Sequence, residues 1–299
     1  MRTIALLAIT ALLVAPIRFP QRLLADPSAL PSESLFAQAA ARRVVEQFDS
    51  CMELPAANFG ECRRSADISF LLLDARSGAV LASRWPGPEV PIPLGSLVKP
   101  VTALAYGENH EFRYPTHMCR GAASGCWLPR GHGRVNLTAA IEYSCNSYFR
   151  MLTAEMTWAE VAPVARSLGL HAPESDAQGI SLAGVGNHWR ISPLSMAAAY
   201  VELVRRREQP GVRQIIRGME QSGERGTGAE VDRALGRADA LVKTGTASCT
   251  HARPATGDGF AIALTPAANP QILLMVRVHG VPGAQAAKTA GEILHEIEE

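Results

Sequence analysis

Lysine is almost missing from this chain. Of 29 lysine and arginine residues, only Lys99, Lys243 and Lys288 are lysine. Wherever a plain positive charge suffices, the chain uses arginine. A lysine kept against that background points to what a guanidinium cannot do, chiefly give up its proton. Excess charge is missing too. The formal net charge is +1 over 299 residues, so nothing suggests a nucleic-acid footprint, where a strongly basic face is expected. Arg205-Arg206-Arg207 is the densest basic run and reads as a solvated helix face. No apolar run reaches the roughly 20 residues that a membrane-spanning helix needs, and no internal repeat is visible. The remaining composition, 47% hydrophobic and 19% charged, is that of an ordinary globular protein.

The apolar run that does occur, Ile4 to Ala15, follows Met1-Arg2 and ends at Pro16. It reads as a signal-peptide core or short membrane anchor over residues 1–25, with Leu23-Leu24-Ala25 before Asp26 as one cleavage site. Residues 26–66 then form a linker, a helix from Leu35 to Phe48 and a cysteine-bracketed loop. Export would place the six cysteines in an oxidising compartment, where Cys51–Cys62 and Cys119–Cys126 are expected as local disulfides. The second pair has a rival, since His117, Cys119, Cys126 and His132 could supply two nitrogens and two sulfurs to a metal. The disulfide is the expectation, because structural zinc sites usually show tighter Cys-x2-4-Cys spacing. Cys145 and Cys249 have no sequence neighbour and read as free thiols.

Residues 67–299 form the main domain. Ile68 to Leu73 and Ala79 to Trp85 are strand-like runs joined by a hairpin signal, Asp74 to Gly78. The middle reads as helical over Leu97 to Tyr106, Leu137 to Leu152, Trp158 to Leu168 and Pro193 to Arg207, with Gly121 to Gly133 and Gly223 to Gly228 as loops. Strands return at Ala240 to Ala247, Gly259 to Thr265 and Ile272 to Val278, before a last helix from Gly283 to His295. Strands at both ends with a helical block between them predict an α/β (α+β) fold. One five-stranded antiparallel sheet would be flanked by helices and carry an all-helical subdomain. Ala261 to Leu264 and Ile272 to Met275 are apolar at every position, as in strands covered on both faces.

Three short motifs occur once each and in order: Ser96-Leu97-Val98-Lys99, Ser144-Cys145-Asn146 and Lys243-Thr244-Gly245. Chance would supply that ordered set on the order of once in 10^4 shuffles of this composition. Ser96 and Lys99 lie three apart, on one face of a helix. Gly95 permits a sharp entry that leaves the hydroxyl at the helix N-terminus. Serine needs a neighbouring base to become a nucleophile, and Lys99 can be that base if burial lowers its pKa. Pro100 cannot donate to the Ser96 carbonyl, so an irregular first turn is expected. Ser144 offers a hydroxyl for proton relay, and the Asn146 amide can hold a peptide group by donor and acceptor. Lys243 would place a positive charge at a substrate carboxylate, and Lys243→Arg would be milder than Lys99→Arg. Gly245 would let a ligand backbone approach. The N–H groups of Ser96 and Thr246 are the candidates for an oxyanion hole. Each motif alone is also compatible with a plain helix cap, a solvated lysine or a strand end.

The ordered set resembles the signature of the penicillin-recognising serine enzymes, the penicillin-binding proteins and serine β-lactamases. Gly95 to Pro100, Gly131-His132-Gly133, Tyr143 to Phe149 and Val242 to Ala247 are most similar to the transpeptidase domains of high-molecular-mass penicillin-binding proteins. So are Gly184-Val185-Gly186 and Ile191 to Ala197. The resemblance implies Ser96 as acylated nucleophile, Lys99 as base, Ser144 and Asn146 in proton relay and substrate holding, and Lys243, Thr244 and Thr246 at the substrate carboxylate. It implies an exported D,D-transpeptidase or D,D-carboxypeptidase acting on D-Ala-D-Ala stem peptides of peptidoglycan. Such an enzyme needs no metal or organic cofactor. β-Lactam antibiotics and other cell-wall proteins are the implied partners, and nucleic acid is not. A non-catalytic peptidoglycan-binding member and a β-lactamase or β-lactam sensor are the alternatives. Glu155, Glu160 and Glu174 follow the second motif, but none sits in the glutamate-rich context of a class A β-lactamase.

Overall fold

The computed structural model describes residues 39–44, 67–237, 239–250 and 255–298. The signal segment and the expected Cys51–Cys62 bridge lie outside them, as does most of the expected Leu35–Phe48 helix. Residues 39–44 are helical, and Arg43 donates to the Ile297 carbonyl at 2.8 Å. Among the described residues no helix is long and apolar enough to cross a membrane.

Five antiparallel strands form the main sheet: β1 (Ile68–Asp74), β2 (Val80–Arg84), β7 (Leu241–Ala247), β8 (Asp258–Thr265) and β9 (Ile272–His279). Their order is β2-β1-β9-β8-β7, so the first strand of the domain pairs with the last. Side chains alternate across the sheet, and both faces are apolar because both are covered. Leu71, Leu73, Ile262, Leu264 and Met275 face the helical block. Phe70, Leu72, Ala261, Ala263 and Leu274 face the C-terminal helix through Ala286, Ala290, Ile293 and Leu294. The hairpin between β1 and β2 forms as the sequence predicts: the Asp74 carboxylate accepts the N–H groups of Arg76 and Ser77 at 2.9 and 2.7 Å, and Gly78 has φ +80°.

Two-residue strands β3 (Ile92–Pro93) and β6 (Arg190–Ile191) pair beside the sheet. β4 (His117–Cys119) pairs with β5 (Gly133–Val135). The helical block comprises α1 (Lys99–Asn109), α2 (Leu137–Glu142), α3 (Asn146–Leu152), α4 (Trp158–Ser167), α5 (Pro193–Arg205), α6 (Val212–Glu224) and α7 (Ala229–Leu235). α8 (Gly283–Glu298) closes the chain. Two departures from the sequence-based expectations matter. The single helix expected over Leu137 to Leu152 is two, broken where Ser144 takes φ +49° and Cys145 is extended. α6 has no counterpart among those expectations, although its buried Val212, Ile215, Ile216 and Met219 carry helical spacing.

Candidate active site

The residues of the first motif sit where a single 3-10 turn, Gly95–Val98, runs into α1. That turn is the irregular start that Pro100 predicts. Gly95 is required there on two counts. Its φ is +57°, and a Cβ would fall 2.2 Å from the Thr246 carbonyl oxygen. The close approach seats the Ser96 turn against β7. Gly245 faces the same junction, where a Cβ would lie 2.6 Å from the Leu94 carbonyl oxygen. Its missing side chain therefore lets two segments of the protein's own backbone pack together, beyond the ligand access that the sequence suggests. Tyr200 on α5 donates to the Leu97 carbonyl at 2.8 Å from full burial. Tyr200→Phe leaves that carbonyl unpaired and is expected to cost about 1–3 kcal/mol, measurable as a lower urea midpoint.

Lys99 is fully buried. Its Nζ donates to the Ser144 carbonyl at 2.7 Å and to Asn146 Oδ1 at 2.6 Å, and lies 3.3 Å from Ser144 Oγ. Burial pushes its pKa down to about 7, against a smaller opposing pull from Cys145 and Cys126. In the neutral amine the two short bonds use both N–H groups and leave the lone pair available, whereas the ammonium donates to Ser144 Oγ as well. Lys243 is also fully buried. It donates to Ser144 Oγ at 2.9 Å and to the Thr244 carbonyl at 2.7 Å. Burial, then the neighbouring Lys99, hold its pKa well below the usual lysine range. The two amines thus converge on one serine hydroxyl, carried by a residue at positive φ, a strained conformation typical of functional sites.

Ser96, Ser144, Asn146, Thr244, Gly245 and Thr246 line one cavity of about 510 Å³. Lys99 and Lys243 lie behind its wall. Lys243 thus meets the cavity only through Ser144 Oγ, and the hydroxyl-bearing Thr227, Thr244 and Thr246 line the cavity itself. Thr246 Oγ1 accepts the Gly283 N–H at 2.9 Å, which leaves its own O–H to donate into the cavity. Thr244 Oγ1 donates to Thr227 Oγ1 at 2.7 Å. Thr227 and Trp127 line the cavity as well and were not singled out from sequence, having no motif around them. Gly184, in the Gly184-Val185-Gly186 stretch, packs against Gly95, where a Cβ would lie 2.1 Å from the carbonyl oxygen.

The expected Cys119–Cys126 disulfide is absent: both are free thiols, as is Cys145. Both sulfurs instead face His132 Nδ1, each at 3.5 Å, and Cys126 Sγ lies 3.9 Å from Cys145 Sγ. His117 does not join them, because its Nε2 is paired with Ser147 Oγ at 2.6 Å.

The sequence matches the family described as penicillin binding protein transpeptidase domain over residues 68–299. The chain belongs to that family. Solved structures with the same fold include penicillin-binding protein PBP2 of Pseudomonas aeruginosa, bound to WCK 5153. It is 17% identical with a TM-score of 0.65, and 86% of this chain covers 73% of that one. PBP2 of Helicobacter pylori, in complex with MreC, is 15% identical with a TM-score of 0.69, and 86% of this chain covers 62% of it. The transpeptidase domain of Burkholderia pseudomallei penicillin-binding protein 3 is 17% identical with a TM-score of 0.61. There 88% of this chain covers 91% of the other. No curated protein matches the sequence. In this transpeptidase domain the five-stranded antiparallel sheet and its flanking helices are those of the family.

Proposed function

We propose that this transpeptidase domain acts outside the cytoplasm as a D,D-acyltransferase on D-Ala-D-Ala stem peptides of peptidoglycan. Ser96 would be the acylated residue. The observation that carries the reading is Lys99, a buried amine with a pKa near 7. It is held by Ser144 and Asn146 one helical turn from a serine that opens onto the cavity.

Lys99 takes the Ser96 proton as Oγ attacks the carbonyl carbon between the two D-Ala residues. The backbone N–H groups of Ser96 and Thr246 receive the oxyanion. As the C–N bond breaks, Ser144 passes its hydroxyl proton to the departing D-Ala nitrogen and is reprotonated from the lysine pair. The Asn146 amide holds the peptide, and the Thr246 hydroxyl donates to its terminal carboxylate, with Thr244 bonded to Thr227 beside it. An amine of a second stem peptide or a water molecule then attacks the ester, giving transpeptidation or carboxypeptidation.

The test is intact-mass analysis after incubation with a penicillin. A penicillin opened on Ser96 leaves no departing fragment, and among the described residues no glutamate lines the cavity. The expected result is one long-lived adduct per chain, absent from Ser96→Ala. Rapid return to unmodified mass with hydrolysed drug in solution would assign a β-lactamase instead. A folded chain that never gains mass, even with peptidoglycan fragments added, would leave only the binding role.

A further inference from the structure

We propose that Cys119, Cys126, His132 and Cys145 form a tetrahedral zinc site that positions the Ser144–Asn146 motif. The four candidate ligand atoms all lie within 4.8 Å of one another. Zn–S and Zn–N bonds of about 2.3 and 2.0–2.1 Å at tetrahedral angles put two sulfurs about 3.8 Å apart and a sulfur and a nitrogen about 3.6 Å apart. Cys126 Sγ and Cys145 Sγ are separated by 3.9 Å, and His132 Nδ1 lies 3.5 Å from the sulfurs of both Cys119 and Cys126. These three separations match edges of a zinc tetrahedron, and the other three lie within 4.8 Å.

The ligands come from three separate pieces of backbone. Cys119 ends β4, and Cys126 follows the turn Gly121–Ser124. His132 precedes β5, and Cys145 is the N-cap of α3. The turns that bring them together tolerate no side chain. A Cβ on Gly121 would fall 1.9 Å from the Pro129 carbonyl oxygen, and one on Gly131 2.3 Å from that of Cys119. The His132 ring is fixed between Tyr143, stacked at 5.1 Å, and the edge of Trp127 at 5.4 Å. A second cavity bordered by His132, Trp127 and Tyr143 gives an ion a way in. All three cysteines are buried. Binding Zn2+ displaces three thiol protons to solvent and leaves a complex of net charge −1.

Cys145 stands between Ser144 and Asn146, the two residues that hold Lys99. A metal on its sulfur anchors the break between α2 and α3, where Ser144 sits at φ +49°. The ion touches no reacting atom. It is a structural support for the residues that do.

The first arm of the experiment is independent of the proposed acylation. Cobalt added to the reduced, metal-free full chain is expected to give the intense ligand-field and thiolate charge-transfer bands of a tetrahedral Co2+ site. Zinc is expected to bleach them at about one equivalent. Chain purified without chelator should carry zinc that Cys119→Ser and Cys126→Ser lose and Cys249→Ser keeps. That last variant separates this site from the Cys249, Asp258 and His279 group. A folded chain with free thiols but no cobalt bands would overturn the site. So would a Cys119–Cys126 or Cys126–Cys145 disulfide in the unreduced protein. The second arm rests on the acylation reading. Stripping zinc from the wild-type chain should slow penicillin acylation on the order of 10²-fold, the scale of a 1 Å misplacement, and zinc should restore it. Unchanged acylation in the stripped chain would overturn the positioning role, whereas absence of any adduct in the zinc-loaded chain would count against the acylation reading alone.

Discussion

Replacing Lys99 by arginine is expected to lower the rate of Ser96 acylation by roughly 10²–10⁴-fold, the usual cost of losing a general base. A guanidinium stays protonated at any working pH and cannot accept the Ser96 proton. The same residue sets a pH profile. Below a pKa of about 7 the amine is protonated, so acylation should be half-maximal near that pH. It should fall tenfold for each pH unit below it and level off above. Stopped-flow acylation by a chromogenic cephalosporin across pH 5–9 measures both. A flat profile, or equal activity in Lys99→Arg, would remove lysine from the role of base. The structure also changes the expectation for Lys243→Arg. A solvent-facing charge would tolerate the exchange. Lys243 is instead fully buried with both its bonds inside the protein, so a bulkier, permanently charged group there should disturb Ser144 and reduce acylation strongly.

The second large effect is expected from Gly95→Ala. The change adds one methyl group, at a residue whose φ is +57° and whose Cβ would meet the Thr246 carbonyl oxygen at 2.2 Å. The left-handed conformation alone costs about 1–2 kcal/mol for a residue with a side chain, and the overlap forces the Ser96 turn away from β7. Acylation should fall on the order of 10²-fold or more for a displacement of about 1 Å, with a lower thermal midpoint. Gly78→Ala isolates the first contribution, since Gly78 has φ +80° with nothing within 4 Å of a Cβ. If both variants lose stability equally and both keep full acylation, the contact between the turn and β7 has no part in the site.

Strands β1, β8 and β9 were legible in the sequence because they are covered on both faces and so are apolar through most of their length, whereas β2 was marked by the hairpin and β7 by the third motif. Two of the motifs were legible because rare lysines fall at fixed offsets from serine and glycine, and Ser144-Cys145-Asn146 because it lies between them in order. What escaped was three-dimensional proximity. Cys145 sits 19 residues from Cys126, and only the break at Tyr143–Cys145 turns its sulfur toward the β4–β5 loop. The helical pattern from Leu137 to Leu152 runs straight through that break, because propensity does not register a strained serine held in place by a buried lysine. Burial of Lys243 was equally hidden, since a strand lysine reads the same whether its amine meets solvent or another side chain. The α6 spacing, by contrast, was there to be found in Val212, Ile215, Ile216 and Met219.

The pairing of β1 with β9 also dictates an order of events during synthesis. The chain emerges from its N-terminus, so β1 and β2 appear first as a bare hairpin with their central partner still unmade. Helices α1 to α7 can pack on one another next, since their contacts with each other need none of β7 to β9. The sheet cannot close until Ile272–His279 has been released, and until then one edge of β1 is unpaired and its Phe70 and Leu72 face lacks α8. Ser96 and Lys99 are thus made long before β7 arrives to wall the cavity. The nucleophile is assembled only in the last moments of folding, and a chain truncated anywhere before β9 should be both inert and prone to aggregate.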